Sequence, residues 1–254
     1  MSGPVSRSRP DQVEALTRGV HLPLPPVARE HIEVILETLQ VIFDSLAVDH
    51  ELTLGRGDEP EINALMQGRL NALLLAPGQD ADDDEPAIGV LWRQLVAAVA
   101  RGNESVSFDG VHIEKRPDIN VFLTFRHRSF PLVIECKIID RPNGKTPRMY
   151  CEDGLQKFLR GEYGWGGREA LMLGYVRDDS SLASSLAPLL TMSGGNPYAV
   201  NQVLQSTTLP PPDIANSVHD REFRYLGRAA PDDDPGSITI WHLWMPVLRP
   251  LGVT

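Results

Sequence analysis

The chain has 254 residues, 42% hydrophobic and 23% charged, an ordinary globular composition long enough for one substantial domain or a core with additions. Its longest apolar runs are too short to span a bilayer and its first twenty residues lack a secretory apolar stretch, so a cytoplasmic protein with no membrane partner is expected. The balance of 24 basic against 34 acidic residues, −10 in all, gives little general attraction for phosphate backbones, although eight of the acids sit in two loop-like segments, 80–85 and 232–234.

In chain order, residues 25–48 carry Ile32, Ile35, Leu36, Leu39, Ile42, Phe43 and Leu46 on one helical face, which predicts an amphipathic helix packed on the main core or used in a homodimer. Asp58 followed by Pro60 and Glu61 has the form of a capping box with proline in the first turn, predicting a helix over 59–75. Residues 88–100 read as a further helix. The Asp109-Gly110 turn predicts a hairpin over 106–113. Strands follow at 119–126 and 132–139, then a helix at 150–161 and a strand at 170–176. Beyond these, a helix at 181–191 and strands near 222–226 and 238–245 complete an α/β chain with a mixed sheet.

One constellation carries chemistry. Side chains alternate faces along a strand, so Glu135 and Lys137 share the polar face of 132–139, while Leu132, Ile134, Cys136 and Ile138 face apolar surroundings. Asp118 opens the preceding strand and lies across from them if the two strands pair. Ionisable groups held in such a place need partners or a cation. Two carboxylates suit a hard ion such as Mg²⁺, and an adjacent ammonium can orient water and stabilise charge on a phosphate.

With Pro117, Asp118, Glu135 and Lys137 in this order, the sequence resembles the PD-(D/E)xK nucleases, the restriction-endonuclease-like enzymes, as a bacterial member. The resemblance extends to Gly154-Leu155-Gln156-Lys157-Phe158, Gly161-Glu162-Tyr163 and Leu173-Gly174-Tyr175-Val176. It implies a core of helix, three strands, helix and strand in residues 59–254, preceded by a helical extension, 1–58, for packing or oligomerisation. Asp118, Glu135 and Lys137 would be catalytic together with Glu59 at the upstream helix start; Glu61 is the rival for that place, although the capping box already employs it. The implied metal set is Asp118, Glu135, Cys136 and Glu59, binding Mg²⁺ with Mn²⁺ as a substitute. Gln156, Lys157, Arg160 and Lys145 would contact nucleic acid. The expected function is a metal-dependent DNA endonuclease, of the kind used in bacterial antiviral defence, with nucleic acid and a regulatory protein or second copy as partners. The alternatives are a non-catalytic nuclease-fold subunit that binds a partner protein or nucleic acid, and a hydrolase of small phosphate esters.

Other features read more plainly. Cys136 and Cys151 have no zinc-type spacing and are expected as free thiols. Gly144-Lys145-Thr146 lacks the first glycine of a phosphate-binding loop, leaving Arg141, Lys145 and Arg148 as a basic loop beyond the catalytic strand. Among the seven histidines, His219 beside Arg221 is the one placed for a phosphate contact. Tyr150, Tyr163, Trp165 and Tyr175 are expected mainly as packing.

Overall fold

The computed structural model describes residues 9–76, 87–102, 106–110, 116–191, 197–206 and 213–247. Helices α1 (Arg9–Thr17), α2 (Arg29–Asp49), α3 (Glu51–Arg56), α4 (Glu59–Leu75) and α5 (Ala87–Leu95) precede the sheet. The stripe on α2 is buried as its periodicity requires, with Ile35, Leu36, Leu39 and Leu46 fully inaccessible. At α4 the capping box forms: the Asp58 side chain accepts from the Glu61 N–H at 2.9 Å and the Glu61 carboxylate accepts from the Asp58 N–H at 3.0 Å. That reciprocal pair fixes the first turn, and with it the position of Glu59.

Seven strands form one sheet, β1 (Val96–Arg101), β2 (Ile119–Leu123), β3 (Leu132–Ile139), β4 (Glu169–Val176), β5 (Val200–Ser206), β6 (Ile214–His219) and β7 (Ile238–Pro246), in the order β1-β2-β3-β4-β7-β6-β5. The central pairs β3–β4 and β4–β7 are parallel and the four outer pairs antiparallel. Both faces of the central strands are covered, so β4 is buried at every residue and reads as a nearly continuous apolar run. On one face Ile134, Cys136, Leu171, Leu173 and Leu243 pack beneath α2, α4 and α5. On the other, Val133, Met172 and Trp244 meet the crossover segment between β3 and β4. That segment runs as α6 (Pro147–Tyr150), a π-helical turn at Cys151–Leu155 and α7 (Gln156–Leu159), in place of the single helix expected over 150–161.

Several expectations are corrected. The helix over 88–100 ends at Leu95; Val96–Arg101 instead pairs with β2 as an edge strand, tertiary pairing overriding the helical preference of its three alanines. The strand at 119–126 stops at Leu123, where Arg126 N–H bonds the Leu123 carbonyl in a turn. Residues 106–108 are not strand; Gly110 N–H closes a turn on Ser107, and residues 111–113 lie outside the described residues. Residues 222–226 alternate like a strand, but Phe223 and Tyr225 fill a separate cluster with Trp165, Phe130, Leu22 and Leu24. The helix at 181–191 forms as a π-helical turn at Leu182–Leu186 continued by α8 (Ala187–Leu190). No helix of the described residues is long and apolar enough to cross a membrane.

Candidate active site

The cluster is assembled from three elements. β2 and β3 pair antiparallel with Asn120 opposite Val133, which brings Asp118, just before β2, alongside the middle of β3; its Oδ2 accepts from the Cys136 N–H at 2.8 Å. Glu135 and Lys137 project from the same face of β3, and Glu59 enters from the first turn of α4. Three carboxylates thus surround one ammonium. Lys137 Nζ lies 2.8 Å from Glu135, 3.2 Å from Glu59 and 4.0 Å from Asp118, and it also donates to the Cys136 carbonyl at 2.8 Å. Glu61 remains in the capping box, so Glu59 is the helix carboxylate that reaches the cluster.

Glu135 is 1% exposed, and a carboxylate buried so deeply must have its oxygens satisfied. Besides Lys137, Lys157 of α7 donates to its Oε1 at 2.6 Å, and the Tyr163 hydroxyl donates to its Oε2. Burial works to raise the Glu135 carboxyl, but the two lysines outweigh it and hold it below the usual range. Asp118 fares differently. Burial, and next the repulsion of Glu135, push it up to about 7 against the pull of Lys137 and the Cys136 N–H. Lys137 shows the converse: burial would lower it, yet Glu135, Glu59 and Asp118 raise it, keeping it a firm cation.

The three carboxylates are oxygen donors of the type a hard divalent ion takes. In this arrangement the carboxylates are drawn to Lys137; among the described residues no group of three or more His, Cys, Asp or Glu is set to hold a metal ion. The Cys136 thiol is on the opposite, apolar face and fully buried, which leaves only its carbonyl on the side of Lys137.

The remaining sequence candidates scatter. Lys157 is bonded to Glu135 and so stands inside the cluster. Gln156, half-buried, opens α7 beside it. Arg160 is half-exposed and 3.7 Å from Glu222, and Lys145 is exposed in the turn after β3, where its main chain bonds Asp140. In the same loop Arg141 pairs with Asp178 and Arg148 with Glu152. His219 is fully buried and makes no surface for phosphate. It shares a hydrogen bond with Ser217 Oγ at 2.6 Å, and that oxygen also meets His242 at 2.8 Å, whose other nitrogen reaches the Tyr150 hydroxyl at 2.9 Å. Arg221 is likewise structural, donating to the carbonyls of Gly236, Trp165 and Gly167. Both cysteines are free and buried.

Sequence reasoning missed Tyr163 as a partner of Glu135. Its only local signal is its place between Gly161 and Gly164, both left-handed (φ 69° and 67°), which turn the chain back toward the sheet. No known protein family, curated protein or solved structure matches this chain.

Proposed function

We propose that this chain is a divalent-metal-dependent nuclease of the restriction-endonuclease-like kind, hydrolysing phosphodiester bonds in nucleic acid. One observation carries the reading: carboxylates separated by up to 76 positions in sequence, Glu59, Asp118 and Glu135, gather around Lys137 Nζ within 4.0 Å on a polar patch of an otherwise buried sheet. Glu59, Asp118 and Glu135 would hold Mg²⁺ or Mn²⁺, which when bound supplies Lewis acidity toward a phosphoryl oxygen and toward water. Lys137 stays charged in this surrounding, so its part is to donate hydrogen bonds to the attacking water and to the phosphate oxygens, not to accept a proton. Tyr163 and Lys157 fix the rotamer of Glu135, and the Cys136 N–H fixes that of Asp118. Positioning of this sort matters because misplacing a reacting group by about 1 Å can cost roughly a hundredfold in rate. An acidic chain suits regulated access to nucleic acid, and DNA in a bacterial defence setting is the substrate context we favour.

The test is cleavage of plasmid and single-stranded DNA and of RNA by the purified chain with Mg²⁺ or Mn²⁺. Activity should vanish in Asp118→Ala and Lys137→Ala proteins that still fold. Cleavage no greater than in those variants sinks the proposal; cleavage of mononucleotides or small phosphate esters alone would redefine the substrate.

A further inference from the structure

Beside the cluster, on the same face of the sheet, lies an open cavity of about 240 Å³ lined by Asn120, Phe122, Arg128, Phe130, Val133 and Trp165, with glycine backbone at 164, 166 and 167. Its position follows from strand alternation. Asp118, Asn120 and Phe122 project from one face of the β2 segment, and Val133, Glu135 and Lys137 from the same face of β3. Since Asn120 is the register partner of Val133, the cavity begins two residues, about 7 Å, along the strand from Glu135. A single nucleotide spans that separation.

Its lining is chemically particular. Asn120 is only 4% exposed, yet its carboxamide makes no hydrogen bond to any described residue. Bonding that amide takes a group that both donates to its oxygen and accepts from its nitrogen. Phe122, Phe130 and Trp165 supply aromatic lining, the Phe130 and Trp165 rings meeting edge to face at 5.1 Å. The Trp165 loop is held rigidly: its indole N–H donates to the Val106 carbonyl at 2.6 Å, its carbonyl accepts from Tyr225 and Arg221, and a Cβ at Gly166 would overlap the Phe130 ring. Exposed Arg128 at the rim has no ion pair among the described residues. The volume lies below the roughly 300–1,000 Å³ of pockets for drug-sized ligands and suits one planar heterocycle.

We propose that this cavity binds one unpaired nucleobase adjacent to the phosphate presented to Lys137, its ring against the aromatic walls and its pairing edge on the Asn120 amide, with Arg128 on the flanking phosphate. In a duplex that edge is already used by the complementary base, so the substrate is single-stranded or locally unpaired nucleic acid. The inference rests on the nuclease reading for the phosphate, but base binding is measurable without cleavage. Stacking on aromatic side chains also tolerates any base, so no sequence preference is implied.

The experiment uses the full chain in EDTA and a short single-stranded DNA carrying the fluorescent base 2-aminopurine. Binding should quench the fluorophore, and a blunt duplex of the same sequence should bind at least tenfold more weakly. Asn120→Leu should weaken single-strand binding about tenfold and Arg128→Ala about threefold, while the rise in melting temperature produced by Mg²⁺ stays as in the parent. Free AMP should compete with the oligonucleotide, which decides the matter even if Asn120→Leu does not fold. Equal affinity for duplex, no competition by AMP, or unchanged binding in a folded Asn120→Leu protein overturns the proposal. Base binding without Mg²⁺-dependent cleavage would remove the nuclease reading and leave the pocket standing; cleavage with no response to Asn120→Leu would do the reverse.

Discussion

Replacing Asp118 by asparagine should make the metal-free protein more stable and inactive at once. The asparagine carbonyl can still accept from the Cys136 N–H, so the loss is confined to the charge. Folding moves this carboxyl from its ordinary 3.8 to about 7, so the folded state holds its proton more tightly than the unfolded chain. The resulting penalty is absent below about pH 4, grows as pH rises through 7 and is complete above it. At about 1.36 kcal/mol per tenfold, the ceiling is about 4 kcal/mol. Relaxation of neighbouring ion pairs reduces what is realised, and we expect about 1–2 kcal/mol, or roughly 3–6 °C in melting temperature for a chain of this size. Urea unfolding in EDTA at pH 5 and pH 8.5 reads the difference: less than half of the variant's full stabilisation at the lower pH, where the unfolded carboxyl is already ionised, and all of it at the higher. Adding Mg²⁺ should reverse the order, since an ion at one hundred times its Kd stabilises the parent by about 2.7 kcal/mol and has lost a ligand in the variant. If both proteins change with pH in parallel, or if the variant is the less stable at pH 8.5, the assignment of Asp118 as a carboxyl raised by burial and by the neighbouring Glu135 is refuted.

Three further outcomes are expected. Tyr163→Phe deletes the hydroxyl that satisfies Glu135 Oε2 and should cost about 1–3 kcal/mol in urea unfolding, with loss of cleavage exceeding that of binding in parallel assays. Gly174→Ala places a methyl 2.6–2.9 Å from the rigid Trp244 ring and should destabilise by more than 2 kcal/mol, whereas Gly154→Ala, whose close neighbour is the flexible end of Met172, should cost less; comparing the two denaturation midpoints checks this. Burial, reinforced by His219, pushes His242 down to about 3, so the folded protein keeps that imidazole neutral and loses stability as pH falls from about 6.5 toward 3; a His242→Gln protein should show a shallower acid decline in its melting temperature.

Much of the candidate site was legible because its rules are local. The capping residues Asp58 and Glu61 mark the start of α4 and so place Glu59. Alternation along Leu132–Ile139 puts Glu135 and Lys137 on one face whatever surrounds the strand. The fold was less legible toward the edges. β6 spells Ile-Ala-Asn-Ser-Val-His, with no apolar run to announce a strand, because its inward polar groups are satisfied by a hydrogen-bonded chain through Ser217, His219 and His242 that only assembly creates. The alanines of β1 favour a helix, and only pairing with β2 decides otherwise.

By itself, then, the sequence determined which side chains share a strand face or a helix turn, since periodicity and capping act over a few residues. Tertiary structure alone decided that Lys157 and Tyr163 close on Glu135, that Glu59 joins them from 76 positions away, and that Asn120 faces a cavity. Those contacts depend on where the crossover helix and the glycine-bounded turn dock on the sheet. Docking is settled by nonlocal burial, which no short stretch of the chain encodes.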